Sequence, residues 1–99
     1  MPNLYGNFAA KNVQETQVNC PNNTWTALPT TALKNRQYME TLNKGEYKLY
    51  FSFDNTTSIQ QRAAVSSGTL RGFAVQDNLT LYGRSGGAGS VRVVVTEYA

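Results

Sequence analysis

The chain has 99 residues, of which 40% are hydrophobic, 11% aromatic and only 15% charged. This length predicts a single domain with one modest core, and the aromatic content with low charge excludes a disordered tail. The nine basic residues are scattered and give a formal net charge of +3, so the sequence lacks the basic stripe that favours phosphate binding.

The first eleven residues place three large apolar side chains, Leu4, Tyr5 and Phe8, in a glycine- and asparagine-rich background. No helical or strand period fits them. Such a segment is either a frayed terminus or an arm that docks on a partner, and the sequence leaves both open. We take Leu4, Tyr5 and Phe8 as candidate partner-binding residues. No apolar run predicts a signal peptide or a membrane-spanning helix, so we expect synthesis in a cytoplasm and no membrane partner.

Residues 30–43 are the ambiguous part of the chain. A helix would begin near Thr31 and end before Gly45, whereas a strand would run from Arg36 to Leu42. Neither periodicity is clean. We favour the strand, because a strongly alternating strand follows after a glycine-containing turn, as in a hairpin.

That following strand, residues 47–53, is the clearest signal, because every second side chain is apolar over seven residues. Residues 59–65 fit either a strand or one helical turn. Gly72 suggests a bulge within another strand, and residues 85–89 predict a flexible glycine-rich connection. The predicted strands, with 59–65 left open, are Val13–Val18, Thr24–Leu28, Arg36–Leu42, Tyr47–Phe53, Thr69–Val75, Leu79–Tyr82 and Val91–Tyr98.

Seven or eight short strands with turn signals at regular intervals predict an all-β fold. We expect a small antiparallel β-sandwich, jelly-roll-like or Greek-key, over residues 12–99, preceded by an N-terminal arm over residues 1–11. No internal repeat or linker indicates a second domain.

The sequence offers little to an enzyme. It contains no histidine, which removes the commonest general base and the commonest zinc ligand. Cys20 lies beside Pro21 without an adjacent charge, which predicts a small buried residue rather than a reactive thiol. The segment Ser85–Gly89 lacks the lysine that ends a phosphate-binding loop. We therefore expect no catalytic residue, no cofactor and no metal.

Three stretches together resemble a known family. Leu28 and Pro29 precede several small residues, Arg36 and a strand that ends at Asn43; an aromatic strand follows at Tyr50–Phe53; and Val91–Val93 leads to a closing Glu97–Tyr98. In this order the segments resemble small virion structural proteins of tailed bacteriophages. The resemblance covers roughly residues 24–99.

The resemblance implies a capsid decoration (cement) protein that bridges neighbouring major capsid subunits at the virion surface. It implies self-association, with a homotrimer as the expected state, because symmetry multiplies weak contacts. Arg36 and Tyr38 join the candidate partner-binding residues, since arginine and tyrosine are enriched at binding hot spots. The alternative for Arg36 is an internal ion pair with Glu40 or Glu97.

Two other functions remain open at this point. One is a virion accessory of the neck, tail or fibre. The other is a non-enzymatic module for single-stranded nucleic acid or carbohydrate, for which exposed aromatic side chains on a sheet would supply stacking surfaces. Nucleic acid is the less expected ligand, because the sequence carries no RNA-recognition signature.

Overall fold

The computed structural model describes residues 12–56 and 64–99, and the predicted arm over residues 1–11 lies outside them. The described residues form eight strands and no helix, which confirms the all-β prediction and shows that the helical interpretation of residues 30–43 is wrong. The strands are β1 (Val13–Cys20), β2 (Thr26–Ala27), β3 (Tyr38–Asn43), β4 (Leu49–Ser52), β5 (Ala64–Val65), β6 (Leu70–Phe73), β7 (Tyr82–Ser85) and β8 (Val91–Tyr98).

The strands form two antiparallel sheets of four. Sheet A has the order β1-β8-β3-β6, and sheet B has the order β2-β7-β4-β5. Each strand of the first half of the chain thus pairs with its mirror position in the second half: β1 with β8, β2 with β7, β3 with β6 and β4 with β5. The chain thus forms one long hairpin that folds over into two packed sheets. Of the two predicted topologies, jelly-roll-like and Greek-key, this is the jelly roll.

The core lies between the two sheets, and the sequence of β8 explains how this strand contributes to it. Val91, Val93 and Val95 alternate with outward-facing residues and have no exposed surface. Their β-branched side chains favour the pleated conformation. Because β8 lies inside sheet A, between β1 and β3, its valines lie in the middle of the inward face, where they pack in one core cluster with residues such as Leu49 and Phe51 of β4.

The prediction for β7 is displaced by three residues. Alternation predicted a strand over residues 79–82, but the Leu81 carbonyl accepts a hydrogen bond from the Leu28 amide, outside the ladder. The strand itself begins at Tyr82 and continues through Gly83. A Cβ on Gly83 would lie 2.7 Å from Leu28 Cδ1 and 3.1 Å from Cys20 Sγ. Glycine here therefore permits close packing of a strand and does not mark a turn.

Gly72 is not a bulge. The pairing of β6 with β3 is continuous, with Gly72 opposite Glu40 and Arg71 opposite Thr41. The position is small because the Tyr38 ring lies over it, and a Cβ would overlap the tyrosine hydroxyl. The glycine thus accommodates a cross-strand aromatic side chain.

Residues 85–89 were expected to be a flexible connection, but they are extensively bonded. Ser85 Oγ donates to the Gly89 carbonyl at 2.5 Å and accepts from the Gly87 amide at 3.2 Å. Asn22 Nδ2 donates to the Gly87 carbonyl at 3.1 Å. The loop is therefore part of the folded sandwich.

Candidate functional site

Arg36 lies inside the domain, just before β3, and is only 2% exposed. Its Nη1 donates to Glu97 Oε2 at 2.9 Å. Its Nε donates to the Val75 carbonyl at 3.1 Å, and its Nη2 donates to the carbonyls of Gln76 and Leu79 at 2.9 and 2.8 Å. The guanidinium thus faces the interior of the domain.

Of the two roles predicted for Arg36, partner binding and an internal ion pair, the structure shows the ion pair, which is formed with Glu97 and not with Glu40. Glu97 lies on the inward face of β8 with no exposed surface, and its Oε2 also accepts from the Leu33 amide at 2.9 Å. Its Oε1 accepts no hydrogen bond from any described residue. The pair joins the segment before β3, the 75–79 loop and the last strand, so its role is to hold the fold.

Tyr38 begins β3 on the outward face of sheet A, half-buried and opposite Tyr98 of β8. The two ring centroids are 6.0 Å apart, with the planes inclined at 41°. Tyr98 donates from its hydroxyl to Glu40 Oε1 at 2.9 Å. The structure therefore places Tyr38 on an aromatic surface whose orientation is set by contacts within the sheet.

Aliphatic side chains continue this surface across three strands. Leu42 of β3 pairs with Leu70 of β6 and with Val94 of β8, and Leu70 is 56% exposed. We call these three residues with Tyr38 and Tyr98 the outer face of sheet A. No described residue lies in a further layer over this face, since the sheets pack through their other sides. Sequence reasoning missed the aliphatic part, because only the strand register aligns these residues.

A second surface cluster lies at the edge formed by β6. Phe51, Phe53 and Phe73 make edge-to-face contacts, with centroids 5.1 Å apart for Phe51 and Phe73 and 6.4 Å for Phe53 and Phe73. The Arg71 guanidinium carbon lies 5.2 Å from the Phe73 centroid and 5.9 Å from that of Phe51. Phe53 is 47% exposed. The alternation of residues 47–53 includes Phe53 among its apolar positions, but nothing in the sequence places Arg71 beside it.

An open cleft of about 390 Å³ lies between the segment before β3 and the loop before β7. Lys34, Asp77 and Thr80 line it, over a floor that includes Leu28 and Leu81. Asp77 Oδ2 accepts a hydrogen bond from the Asn35 amide at 2.7 Å, so this carboxylate is engaged in shaping the loop. The cleft therefore combines charged groups of both signs with threonine hydroxyls.

Cys20 lies in the core, as predicted, and burial raises the pKa of its thiol from 9.0 to about 12. The thiolate, which is the nucleophilic form, is thus disfavoured. Within residues 12–56 and 64–99, no group of three or more cysteine, aspartate or glutamate side chains is placed to hold a metal ion.

Leu4, Tyr5 and Phe8 lie outside the described residues, so their partner-binding role stays a prediction. The described residues include no helix that could cross a membrane. The described residues thus form two candidate contact surfaces, which are the outer face of sheet A and the aromatic edge with Arg71.

No protein-family model matches the chain, and neither the curated proteins nor the solved structures contain a significant match to it.

Proposed function

We propose that this chain is a bacteriophage virion structural protein, most specifically a capsid decoration protein. In this role it binds the assembled shell and stabilises it by bridging neighbouring major capsid subunits, acting as a homo-oligomer. The function requires contact surfaces rather than a catalytic pocket.

The outer face of sheet A is the observation that carries this proposal. It presents two tyrosines and three aliphatic side chains on one side of the sheet, with Glu40 and Thr96 at the positions between the two groups. Aromatic residues are enriched at protein interfaces, and the interface core is more apolar than the rest of a surface. Exposed and half-buried apolar side chains grouped on one face in this way are typical of a protein-binding site.

The fold supports the same class without deciding it. Eight-stranded jelly rolls occur in viral capsid proteins, but also in lectins and cupins, and a fold alone does not imply a function. The resemblance of residues 24–99 to phage virion proteins favours the viral member of this set. Two of the segments that carry this resemblance are joined in the fold. The segment from Leu28 to Arg36 and the closing segment with Glu97 are held together by the buried Arg36–Glu97 ion pair.

The direct test is to mix the purified full-length protein with assembled phage capsids lacking it and to measure occupancy by cryo-electron microscopy. We expect hundreds of copies on the shell surface. A dozen or fewer copies at one vertex would instead support the neck, tail or fibre alternative. Absence from every part of the particle would contradict the proposal.

A matched pair of variants tests the face itself. Leu70→Ser removes an exposed leucine from the outer face, whereas Leu79→Ser removes one that is 44% exposed in the loop before β7. We expect Leu70→Ser to weaken shell binding by at least about tenfold, which corresponds to about 1.4 kcal/mol. Leu79→Ser should bind like the parent, and equal binding by both variants would exclude this face.

A further inference from the structure

We propose that the edge cluster of Arg71, Phe53 and Phe73 binds an acidic and apolar segment of the protein partner. A partner carboxylate would accept hydrogen bonds from the Arg71 guanidinium, and an adjacent apolar side chain would pack on Phe53. This inference rests on the proposed function, because it names the chemistry of the surface that the chain recognises.

The aromatic part of the cluster is held in place before any partner arrives. Phe51 is 4% exposed and lies on the inward face of β4, and Phe73 packs against it with an interplanar angle of 65°. Phe53 completes the row with its ring at 89° to that of Phe73. Because its neighbours are fixed, the exposed Phe53 ring offers apolar area with little further loss of side-chain entropy.

The backbone of β6 explains how a charged side chain reaches this row. Arg71 pairs with Thr41 and Phe73 with Met39, and both partners are fully buried on the inward face of β3. Arg71 therefore lies on the inward side of an edge strand, from which its long side chain extends over the aromatic rings to solvent. The Thr41 hydroxyl donates to the Arg71 carbonyl at 3.2 Å and fixes the backbone there.

The guanidinium of Arg71 differs from those of Arg36 and Arg84 in its hydrogen bonding. Arg36 uses its donors on three carbonyls and Glu97, and Arg84 donates from Nε to the Asn22 carbonyl at 2.9 Å while lying over Trp25. Arg71 forms no ion pair and donates no side-chain hydrogen bond to any residue within 12–56 and 64–99. Its planar fork thus lies over the rings, and none of its donors is used by another residue of the described part of the chain.

Charge complementarity decides the occupant. A guanidinium with free donors matches a carboxylate bidentately, and the chain carries a net charge of +3. A single arginine beside phenylalanines does not form the continuous basic groove that follows a nucleic-acid backbone. An acidic protein segment with apolar residues therefore fits this edge better than a nucleic acid does.

The first test is a nuclear magnetic resonance titration of the isotope-labelled full-length protein with a blocked heptapeptide that alternates glutamate and leucine. We expect shifts of the Arg71 Nε–H and Phe53 ring signals, and none with a peptide that alternates lysine and leucine. Arg71→Gln should raise Kd at least tenfold, with Arg71→Lys in between, because lysine retains the charge but not the fork. Lys48→Gln, an exposed charge removed elsewhere, should leave Kd unchanged.

Unchanged peptide affinity in Arg71→Gln, or no shift at Arg71 and Phe53, would overturn the inference. So would shifts of these signals by an oligothymidylate but not by the acidic peptide, which would assign the edge to nucleic acid. Capsid binding separates this failure from that of the proposed function. If Arg71→Gln occupies the shell like the parent, the edge inference fails alone; if the parent itself does not bind capsids, the proposed function fails whatever the peptide result.

Discussion

At the scale of single residues, Arg36 and Glu97 connect parts of the chain that are 61 residues apart. Removal of one member of a buried ion pair leaves the other charge without compensation, which typically costs about 3–5 kcal/mol. We expect Arg36→Met and Glu97→Leu each to lower the free energy of unfolding by that amount, measured by urea denaturation. The exposed Arg92→Met should change it by less than about 0.5 kcal/mol.

The double variant Arg36→Met/Glu97→Leu distinguishes an ion pair from simple packing. Replacement of both charges by apolar residues removes the uncompensated charge, although the carbonyls of Val75, Gln76 and Leu79 still lose their donor. The double variant should therefore be less destabilised than the sum of the two singles. Strict additivity would show that the two side chains do not interact.

Cys20 predicts a specific response to alkaline pH. Its pKa is 9.0 when exposed in the unfolded chain and about 12 in the folded protein, so between these values the unfolded chain has lost the thiol proton and the folded protein still holds it. Stability must therefore fall as pH rises from 9 to 12, by up to about 1.4 kcal/mol per pH unit from this group.

The comparison with Cys20→Ala isolates this contribution. Urea denaturation between pH 8 and pH 11 should show a steeper loss of stability in the parent than in the alanine variant, because tyrosines and lysines titrate equally in both. The thiol of the folded parent should also react slowly with a disulfide reagent at pH 8. Equal slopes in the two proteins would mean that Cys20 ionises normally in the fold.

At the scale of elements, the connection between β7 and β8 depends on the side chain of Tyr47. A Cβ on Gly87 would overlap the Tyr47 ring, whereas one on Gly89 would lie 3.2 Å from Cε2. Neither glycine has a positive φ, so packing alone separates them. We expect Gly87→Ala to destabilise the protein by about 1–3 kcal/mol and Gly89→Ala by clearly less, measured by thermal unfolding.

The Gly87 prediction has an internal control. If overlap with the tyrosine is the cause, Gly87→Ala should be much less harmful when combined with Tyr47→Ala than in the parent. Equal destabilisation in both backgrounds would point to the backbone of the loop instead.

Strand prediction succeeded where one face of the strand is buried and the other is more exposed along its whole length. The β8 prediction matches Val91–Tyr98, because buried residues alternate with more exposed ones along the whole strand. The strand is also paired on both sides, with β1 and with β3. Strand prediction failed at β7, because Gly83 and Ser85 face the tightly packed interior and carry no apolar signal. It also overextended β2 from two residues to five, because Trp25 and Leu28 are buried outside the ladder.

At the scale of the whole molecule, the two proposed contact surfaces meet at β6. Leu70 faces outward on sheet A, and Arg71, the next residue, extends over the aromatic edge. One partner surface could therefore contact both, and stable interfaces bury about 800 Å² per partner. The expected losses of shell binding in Leu70→Ser and of acidic-peptide binding in Arg71→Gln separate the two contributions.

The sequence by itself determined the all-β class, the sandwich architecture and most strand positions, because alternation and turn residues are local properties of the chain. It also offered an ion pair of Arg36 with Glu40 or Glu97, though only as the alternative to a partner-binding role. The tertiary structure alone decided the jelly-roll order, the inward direction of Arg36 and the surfaces built by Leu42, Leu70, Val94 and Arg71. These depend on strand register and on contacts between residues far apart in the chain, which no local pattern encodes.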